Sequence, residues 1–209
     1  MKPWLFDILA CPIDKFFPLN LYIFSFETKM EEFAKIIETF NDRNIDFLKK
    51  EKIIEIYQEN DRLFIKDNII IQEEPIENYL EHILLSIKEM DNIFDRTTNK
   101  LSKECLKIIK STVKTKLMDF SQKVELNQIE DIYPELFLIN KIKLEIEIES
   151  GILYCKKCDR WYPIIDTIPQ MLPDQYREEE KDIEFLMTNK HLLDEEFLKQ
   201  DLKPFKISL

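Results

Sequence analysis

The sequence contains a single glycine, Gly151, among its 209 residues. Phosphate-binding loops of the Walker and Rossmann types need several glycines, because their backbone turns tightly and approaches the phosphate closely. The glycine-rich loop that usually cradles S-adenosylmethionine is excluded for the same reason. The sequence therefore argues against nucleotide-dependent chemistry of the common kinds within this chain.

The net charge and the histidine content further restrict the functions that the protein can have. The net charge is −11 and the isoelectric point lies near 4.9. Nucleic acids bind mainly to clustered lysines and arginines, so a basic protein partner is expected in preference to free RNA. Only two histidines occur, His82 and His191, and both lie in helical-looking stretches with no nucleophile pattern nearby. We therefore predict a protein that is not an enzyme.

No segment of the sequence has the length and apolar character of a membrane span. The longest nearly apolar run, residues 16–26, contains Asn20 and is too short to cross a bilayer. Near the beginning of the sequence, Asp7 interrupts the apolar residues that a targeting signal would need. We expect a cytoplasmic protein.

Hydrophobic periodicity divides the chain into alternating β and helical parts. Aromatic and β-branched residues predict a strand over 19–27, and alternating apolar and charged residues predict another over 141–149. Between them, apolar residues recur every three or four positions and predict a helical hairpin over 76–94 and 101–124. Ser150 and Gly151 predict a turn. The acidic segment that starts at Asp174 predicts a helical C-terminal tail.

Two short motifs have the spacing of metal ligands. Cys155 and Cys158 form a CxxC motif between strand-like segments, which is typical of a zinc knuckle. Cys11 and Asp14 have the same spacing and would add a thiolate and a carboxylate. The sequence thus predicts a closed, structural zinc site whose ligands are Cys11, Asp14, Cys155 and Cys158.

Other interpretations of the cysteines stay open at this point. Cys11 would form a disulfide with either Cys155 or Cys158, or the cluster would hold no metal. Cys105 lies on the apolar stripe of a helix and is expected in the core.

These patterns predict an α+β fold, with a small zinc-ribbon-like β domain built from both chain ends, a long helical insertion and a helical C-terminal tail. We assign residues 1–28 and 126–175 to the β domain, residues 29–125 to the insertion and residues 176–209 to the acidic tail.

The two ends of the chain resemble the Trm112-type family, the small zinc-ribbon activator subunits shared by several methyltransferases of eukaryotes and archaea. The resemblance rests on MKPWLFDILACP at residues 1–12 and on GILYCKKCDRWYPIIDTIPQMLP at residues 151–173. It includes the family's division of the ribbon by a helical insertion, and it suggests an archaeal-type member. Asp14 stands where the family usually has a fourth cysteine.

The resemblance implies a non-catalytic subunit that forms a heterodimer with S-adenosylmethionine-dependent methyltransferases acting on tRNA, rRNA or a translation release factor. RNA would be contacted only through that partner. The resemblance also implies that residues near 164–172 add a β-strand to the partner's sheet. It places a set of apolar residues at the partner interface: Trp4, Leu5, Ile8, Trp161, Ile168, Pro169, Met171 and Leu172.

Two other functions stay open. The first is a stand-alone zinc ribbon that binds RNA through the compact basic and aromatic group Lys156, Lys157, Arg160 and Trp161. The second is a redox protein that uses Cys155 and Cys158.

Overall fold

The computed structural model describes residues 1–60, 62–124 and 126–207. Helices account for 50% of the chain and strands for 19%, which confirms the predicted α+β class. The chain divides into two compact units. The first, called the sheet unit, contains residues 1–28, 92–98 and those described from 147 onward; the second, called the helical unit, contains 29–91 and 99–146, apart from residues 61 and 125.

The chain contains the following regular elements. The strands are β1 (Asn20–Phe26), β2 (Glu55–Glu59), β3 (Arg62–Lys66), β4 (Glu74–Pro75), β5 (Ile93–Asp95), β6 (Ile148–Cys155), β7 (Arg160–Ile165) and β8 (Ile168–Pro169). The helices are α1 (Met30–Asp42), α2 (Ile45–Lys50), α3 (Ile76–Glu89), α4 (Lys100–Ile108), α5 (Lys114–Gln122), α6 (Tyr133–Leu144), α7 (Glu179–Asn189) and α8 (Glu195–Leu198). A 3₁₀ helix covers Pro3–Asp7, and a π-helical turn, Ile109–Val113, joins α4 to α5. No helix in the described ranges is long and apolar enough to cross a membrane.

The sheet unit is organised around a five-stranded sheet in the order β5-β1-β6-β7-β8. β1 runs parallel to β5 and antiparallel to β6, and β6, β7 and β8 follow as an antiparallel meander. Side chains two positions apart on a strand share a face. One face therefore presents five aromatic and aliphatic residues, which we call the covered face: Tyr22, Phe24, Ile152, Tyr154 and Trp161.

The C-terminal tail packs on this covered face. Residues from α7, α8, the link between them and the segment after them complete the cluster: Leu186, Leu193, Phe197, Leu198, Leu202 and Ile207. The tail was predicted as a separate segment over 176–209, whereas its described residues belong to the sheet unit. The reason is that its apolar residues bury one face of the sheet. Residues 208 and 209 of that prediction lie outside the described residues.

Gly151 lies inside β6, not in the turn predicted at Ser150 and Gly151. The pairing of β6 with β1 shifts register opposite Ile23 and Ser25. A Cβ atom on Gly151 would lie 2.5 Å from the carbonyl oxygen of Tyr22. The chain therefore needs its one glycine because two strand backbones approach closely here, which is a known use of glycine within strands.

The helical unit contains α1 to α6 and the small antiparallel sheet β2-β3-β4. Most of α6 is buried, including the charged residues Glu135 and Lys143. A helix buried on nearly all sides shows no clear amphipathic period, and this explains why the alternation at 141–149 was mistaken for a strand. The strand begins only at Ile148.

The boundaries predicted for the β domain differ from the observed ones at two places. Residues 126–146 belong to the helical unit, and the short segment 92–98, which was predicted within the insertion, contributes β5 to the sheet unit. Residues 61 and 125 of the predicted insertion lie outside the described residues.

Candidate metal centre and exposed apolar strip

The structure brings the four predicted ligands together at one end of the sheet. Cys155 ends β6, Cys158 lies in the turn before β7, and Cys11 and Asp14 lie in the turn after the N-terminal 3₁₀ helix. One ligand atom from each residue lies within 4.8 Å of the other three. Chain ends that are far apart in sequence therefore form one compact cluster.

Two of the distances within the cluster match the separations around a zinc ion. The Sγ atoms of Cys11 and Cys158 are 3.7 Å apart, and the Sγ atom of Cys155 is 3.6 Å from Oδ1 of Asp14. A tetrahedral zinc ion, with bonds of about 2.3 Å to sulfur and about 2.0–2.2 Å to oxygen, separates its ligand atoms by roughly 3.5–3.8 Å. Three sulfurs and one carboxylate oxygen form a donor set that zinc accepts.

The disulfide considered as an alternative is not formed, because all four cysteines of the chain are free. Cys105 is fully buried in α4, and burial raises the pKa of its thiol to about 12. Its position agrees with the prediction that it is a core residue.

The two ligand turns share a backbone feature. Each has a residue in the left-handed region directly after its second ligand: Lys15 with φ of 59° follows Asp14, and Asp159 with φ of 57° follows Cys158. In the first turn, the N–H of Lys15 donates to the carbonyl of Cys11 at 2.9 Å. The left-handed residue reverses the chain directly after the ligands, which keeps each pair close together.

Hydrogen bonds and charges around the cluster favour an ionised carboxylate. Burial works to raise the pKa of Asp14, but the N–H of Phe16, the thiols of Cys11 and Cys155 and the charge of Lys157 hold that pKa below its ordinary value. The N–H of Phe16 donates to Oδ1 of Asp14 at 3.0 Å. A carboxylate that stays charged supplies the same formal charge as the thiolate usual in the Trm112-type family.

The thiol of Cys155 differs from a reactive cysteine. Burial raises its pKa to about 12, although the backbone N–H groups of Lys157 and Cys158 donate to it and oppose this shift. Redox-active cysteines need a depressed pKa. The structure therefore gives no support to redox chemistry at this CxxC motif.

Two residues beside the cluster were not predicted as part of it. The hydroxyl oxygen of Tyr162 lies 3.3 Å from Sγ of Cys11. Arg160 hydrogen-bonds to Cys158, and its Nη2 donates to Oδ2 of Asp174 at 2.9 Å. The sequence does carry a signal for them, because Arg160 and Tyr162 stand two positions apart on the strand that follows the motif.

Several of the predicted interface residues are exposed in the sheet unit. Ile8 is 66% exposed and Ile168 is 59% exposed, which is unusual for large aliphatic side chains. Leu5, Pro169 and Met171 are half-buried. We call the exposed set the apolar strip: Trp4, Ile8, Ile165, Ile168 and Leu172.

Backbone hydrogen bonds hold the two segments of the apolar strip near the same end of β6. The N–H of Ile148 donates to the carbonyl of Met1 at 2.9 Å. The N–H of Thr167 donates to the carbonyl of the adjacent Glu149 at 3.0 Å. Residues that begin the chain and residues that follow the CxxC motif therefore flank one strand end.

Trp161 is a correction to the predicted interface. It is fully buried in the covered face, and its indole N–H donates to the carbonyl of Phe205 at 3.0 Å. The guanidinium of Arg177 lies 4.7 Å from its ring centroid. Because Trp161 is buried in a cluster with residues of the chain's own tail, it is omitted from the interface proposed below.

The edge of β7 is already filled by the chain itself. The N–H of Trp161 donates to the carbonyl of Lys203, and the N–H of Gln170 donates to the carbonyl of Pro163. β8 pairs with the last two residues of β7 and forms the edge of the sheet. Of the elements near 164–172, β8 is the one at the edge of the sheet.

Comparison with known proteins gave one match. A protein-family model described as Trm112p-like protein matches residues 2–166. The matched range contains both ligand turns and the whole helical unit, and it ends before β8 and the C-terminal tail. The searches of curated proteins and of solved structures found no match.

Proposed function

The chain belongs to the Trm112p-like family of methyltransferase activators, and from this premise we propose that it is the non-catalytic subunit of S-adenosylmethionine-dependent methyltransferases. We propose further that these enzymes modify tRNA, rRNA or a translation release factor, and that the complex is a heterodimer.

The observation that carries this proposal is the apolar strip. Its residues lie in the two segments that flank the ligand turns, and large aliphatic side chains on the surface of a protein mark interaction sites when they occur together. A stable heterodimer buries on the order of 1,200–2,000 Å² in total. The strip would form the apolar centre of such an interface, with Leu5, Pro169 and Met171 around it.

The proposed role of the metal centre is to fix the shape of this surface. Zinc, when bound by Cys11, Asp14, Cys155 and Cys158, supplies a cross-link between the N-terminal turn and the distal turn. The residues themselves position the strip: Cys11 follows directly after the segment of Trp4 and Ile8, and Cys158 precedes β7 and β8. The metal centre is structural in this proposal, because four protein ligands leave no open coordination position for chemistry.

Strand addition would complete the complex. β8 has only two residues, and the second is Pro169, which has no backbone N–H; Pro173 follows four residues later. A partner strand therefore finds only a few free backbone groups for hydrogen bonding. We therefore propose that main-chain pairing here fixes orientation, while the apolar strip supplies most of the affinity.

The test is affinity purification of the tagged full-length chain from its own cells, with mass spectrometry of the chains that co-purify. We expect one or more methyltransferase chains in near-stoichiometric amount. The variant Ile168→Asp should lower the affinity for a co-purified methyltransferase at least about tenfold, because a carboxylate would be buried without a partner.

A matched control is Ile71→Asp, because Ile71 is 78% exposed and lies in the helical unit. This variant should leave methyltransferase binding unchanged. Loss of binding in both variants, or in neither, would contradict the role of the strip, and a purification without any methyltransferase would contradict the proposed function itself.

The alternative function is a zinc ribbon that binds RNA through Lys156, Lys157, Arg160 and Trp161. The structure gives this alternative little support. Trp161 is buried and offers no ring for base stacking, and Arg160 is held by Asp174 and Cys158. Lys156 lies over the ring of Phe16, 5.8 Å from its centroid.

A further inference from the structure

The helical unit carries a basic segment that contrasts with the rest of the chain. Residues 99–116 contain six lysines and one glutamate, whereas the whole chain has a net charge of −11. Three apolar residues of this segment, Cys105, Ile109 and Val113, are buried. The lysines therefore occupy the outward side of an amphipathic helix.

Three of these lysines line one groove. Lys100, Lys103 and Lys107 are exposed and line a groove of about 440 Å³, together with Glu104, Ile108, Ser111 and Thr112. The three lysines span about 10 Å along the helix axis, at a rise of about 1.5 Å per residue. The groove therefore presents a row of ammonium groups with two hydroxyls at its end, and we call it the basic groove.

The helix changes its geometry inside the basic groove. Residues 109–113 form a π-helical turn between α4 and α5, and Ser111 Oγ donates to the carbonyl of Lys107 at 2.7 Å. Single π turns within α-helices are rare and occur frequently at functional sites. Here the π turn contributes Ser111 and Thr112 to the groove beside Lys107.

The lysines of the segment differ in their ion pairs. Nζ of Lys114 lies 3.3 Å from Oδ2 of Asp91, and Nζ of Lys116 lies 3.4 Å from Oε1 of Glu135. Within the described residues, no carboxylate lies within 4.0 Å of Nζ of Lys100, Lys103 or Lys107. The three lysines of the basic groove are thus available to an external anion.

We infer that the basic groove binds the phosphate backbone of RNA without reading its sequence. A row of ammonium groups along one groove matches a polyanion, and each phosphate contact gains affinity by releasing condensed counterions. The residues that line the groove include neither an aromatic ring, which would stack on bases, nor an arginine, asparagine or glutamine, which would form bidentate contacts with base edges. A protein interface would show an aromatic or arginine anchor at its centre, and the groove has none.

The inference rests on the proposed function in one respect, since an RNA-modifying partner would bring RNA to the complex. It also revises the sequence-based expectation that RNA is contacted only through the partner. The overall negative charge would keep this contact weak in the free chain and useful mainly when the partner already holds the RNA.

The test compares two triple variants with the same change in net charge. The first is Lys100→Gln/Lys103→Gln/Lys107→Gln. The control is Lys181→Gln/Lys199→Gln/Lys206→Gln, whose three lysines are exposed in the sheet unit and pair with nearby carboxylates. Glutamine has nearly the helix propensity of lysine, so the fold should be preserved in both.

The readout is the affinity for fluorescently labelled bulk tRNA over a range of salt concentrations. It is measured for the complex that co-purifies and for the full chain alone. Near 0.1 M salt, we expect the first variant to bind roughly 10- to 100-fold more weakly. The slope of log affinity against log salt should fall by about 2–3, as the loss of three phosphate contacts predicts. The control should bind like the unmodified protein.

Each outcome has one meaning. Unchanged RNA affinity in the first variant, or an equal loss in the control, would overturn the inference. If the first variant instead loses binding to vesicles of phosphatidylserine and keeps binding to RNA, the groove is a membrane contact and the inference is wrong. Failure of the proposed function would appear separately, as the absence of a methyltransferase from the purification, and the free chain would still test the groove.

Discussion

The sheet unit contains two apolar surfaces, the covered face and the apolar strip, that differ in what lies on them. The covered face is occupied by the chain's own tail, so Trp161 and Ile152 have no exposed area. The apolar strip is less covered by the described residues, and Ile8 and Ile168 remain more than half exposed. The difference indicates which surface stabilises the subunit and which one is available to a partner.

The aromatic rings on the covered face pack against each other as they do in a protein core. The ring of Phe197 lies 5.0 Å from that of Tyr22 and 5.2 Å from that of Tyr154, edge to face in both cases. Such aromatic pairs add about 0.5–1.5 kcal/mol each beyond the area they bury. The tail therefore acts as a permanent part of the fold.

The largest expected effect is a loss of stability when the covered face is weakened. Phe197→Ala should lower the free energy of unfolding by about 3–5 kcal/mol, because it leaves a cavity beneath the tail. Chemical denaturation measures this change. Met187→Ala is the matched control, because Met187 lies in the same tail and is 55% exposed, and its effect should stay within about 0.5 kcal/mol. A small effect of Phe197→Ala would show that the tail is not part of the core.

Removal of the metal should distinguish the two surfaces. A site filled at a free zinc concentration about 100 times its dissociation constant stabilises a protein by about 2.7 kcal/mol, and Cys158→Ser should remove that contribution. Hydrogen exchange should speed up in residues 1–17, which include part of the apolar strip, and should stay slow in α7 and α8.

The control for the loss of a cysteine is Cys105→Ala, which removes a buried thiol of the helical unit. Elemental analysis should find the metal retained in this variant and lost in Cys158→Ser. Uniformly faster exchange across both surfaces after loss of the metal would contradict their separation.

A somewhat smaller effect is expected at the close approach of β1 and β6. Gly151→Ala should cost about 1–3 kcal/mol of stability, because its Cβ would collide with the backbone carbonyl of Tyr22 and the strands must shift. Thermal unfolding measures the effect, with Ser150→Ala as the neighbouring control. If both variants unfold at the temperature of the unmodified protein, the close approach is relieved without cost and this reading of Gly151 is wrong.

The sequence predicted some features of the fold well and others poorly, for identifiable reasons. The proximity of the four candidate ligands was predictable because metal coordination demands particular residue types at a fixed spacing, and Cys11, Asp14, Cys155 and Cys158 meet that demand. The turn at Gly151 was wrong, because close backbone approach depends on the neighbouring strand, which local sequence does not show.

The assignment of apolar residues to core or interface was the hardest step. Trp161 and Ile168 both lie among strand-like apolar residues, yet one is buried and the other is 59% exposed. The exposure of these two side chains depends on where the tail packs, and this packing is a tertiary contact between residues far apart in sequence. Strand alternation accounts for the neighbouring pair of isoleucines, since Ile164 is buried and Ile165 is exposed.

The smallest expected effect is a difference in fluorescence quenching between the two tryptophans, each of which lies on one of the two surfaces. Trp4 belongs to the apolar strip and is 36% exposed, whereas Trp161 has no exposed area. In the variant Trp161→Phe, the remaining Trp4 should be quenched by acrylamide several-fold more strongly than Trp161 is in Trp4→Phe. Binding of the methyltransferase should protect Trp4 and leave Trp161 unchanged. Equal quenching of the two residues, or protection of Trp161 on binding, would mean that the partner displaces the tail, and the covered face would then belong to the interface as well.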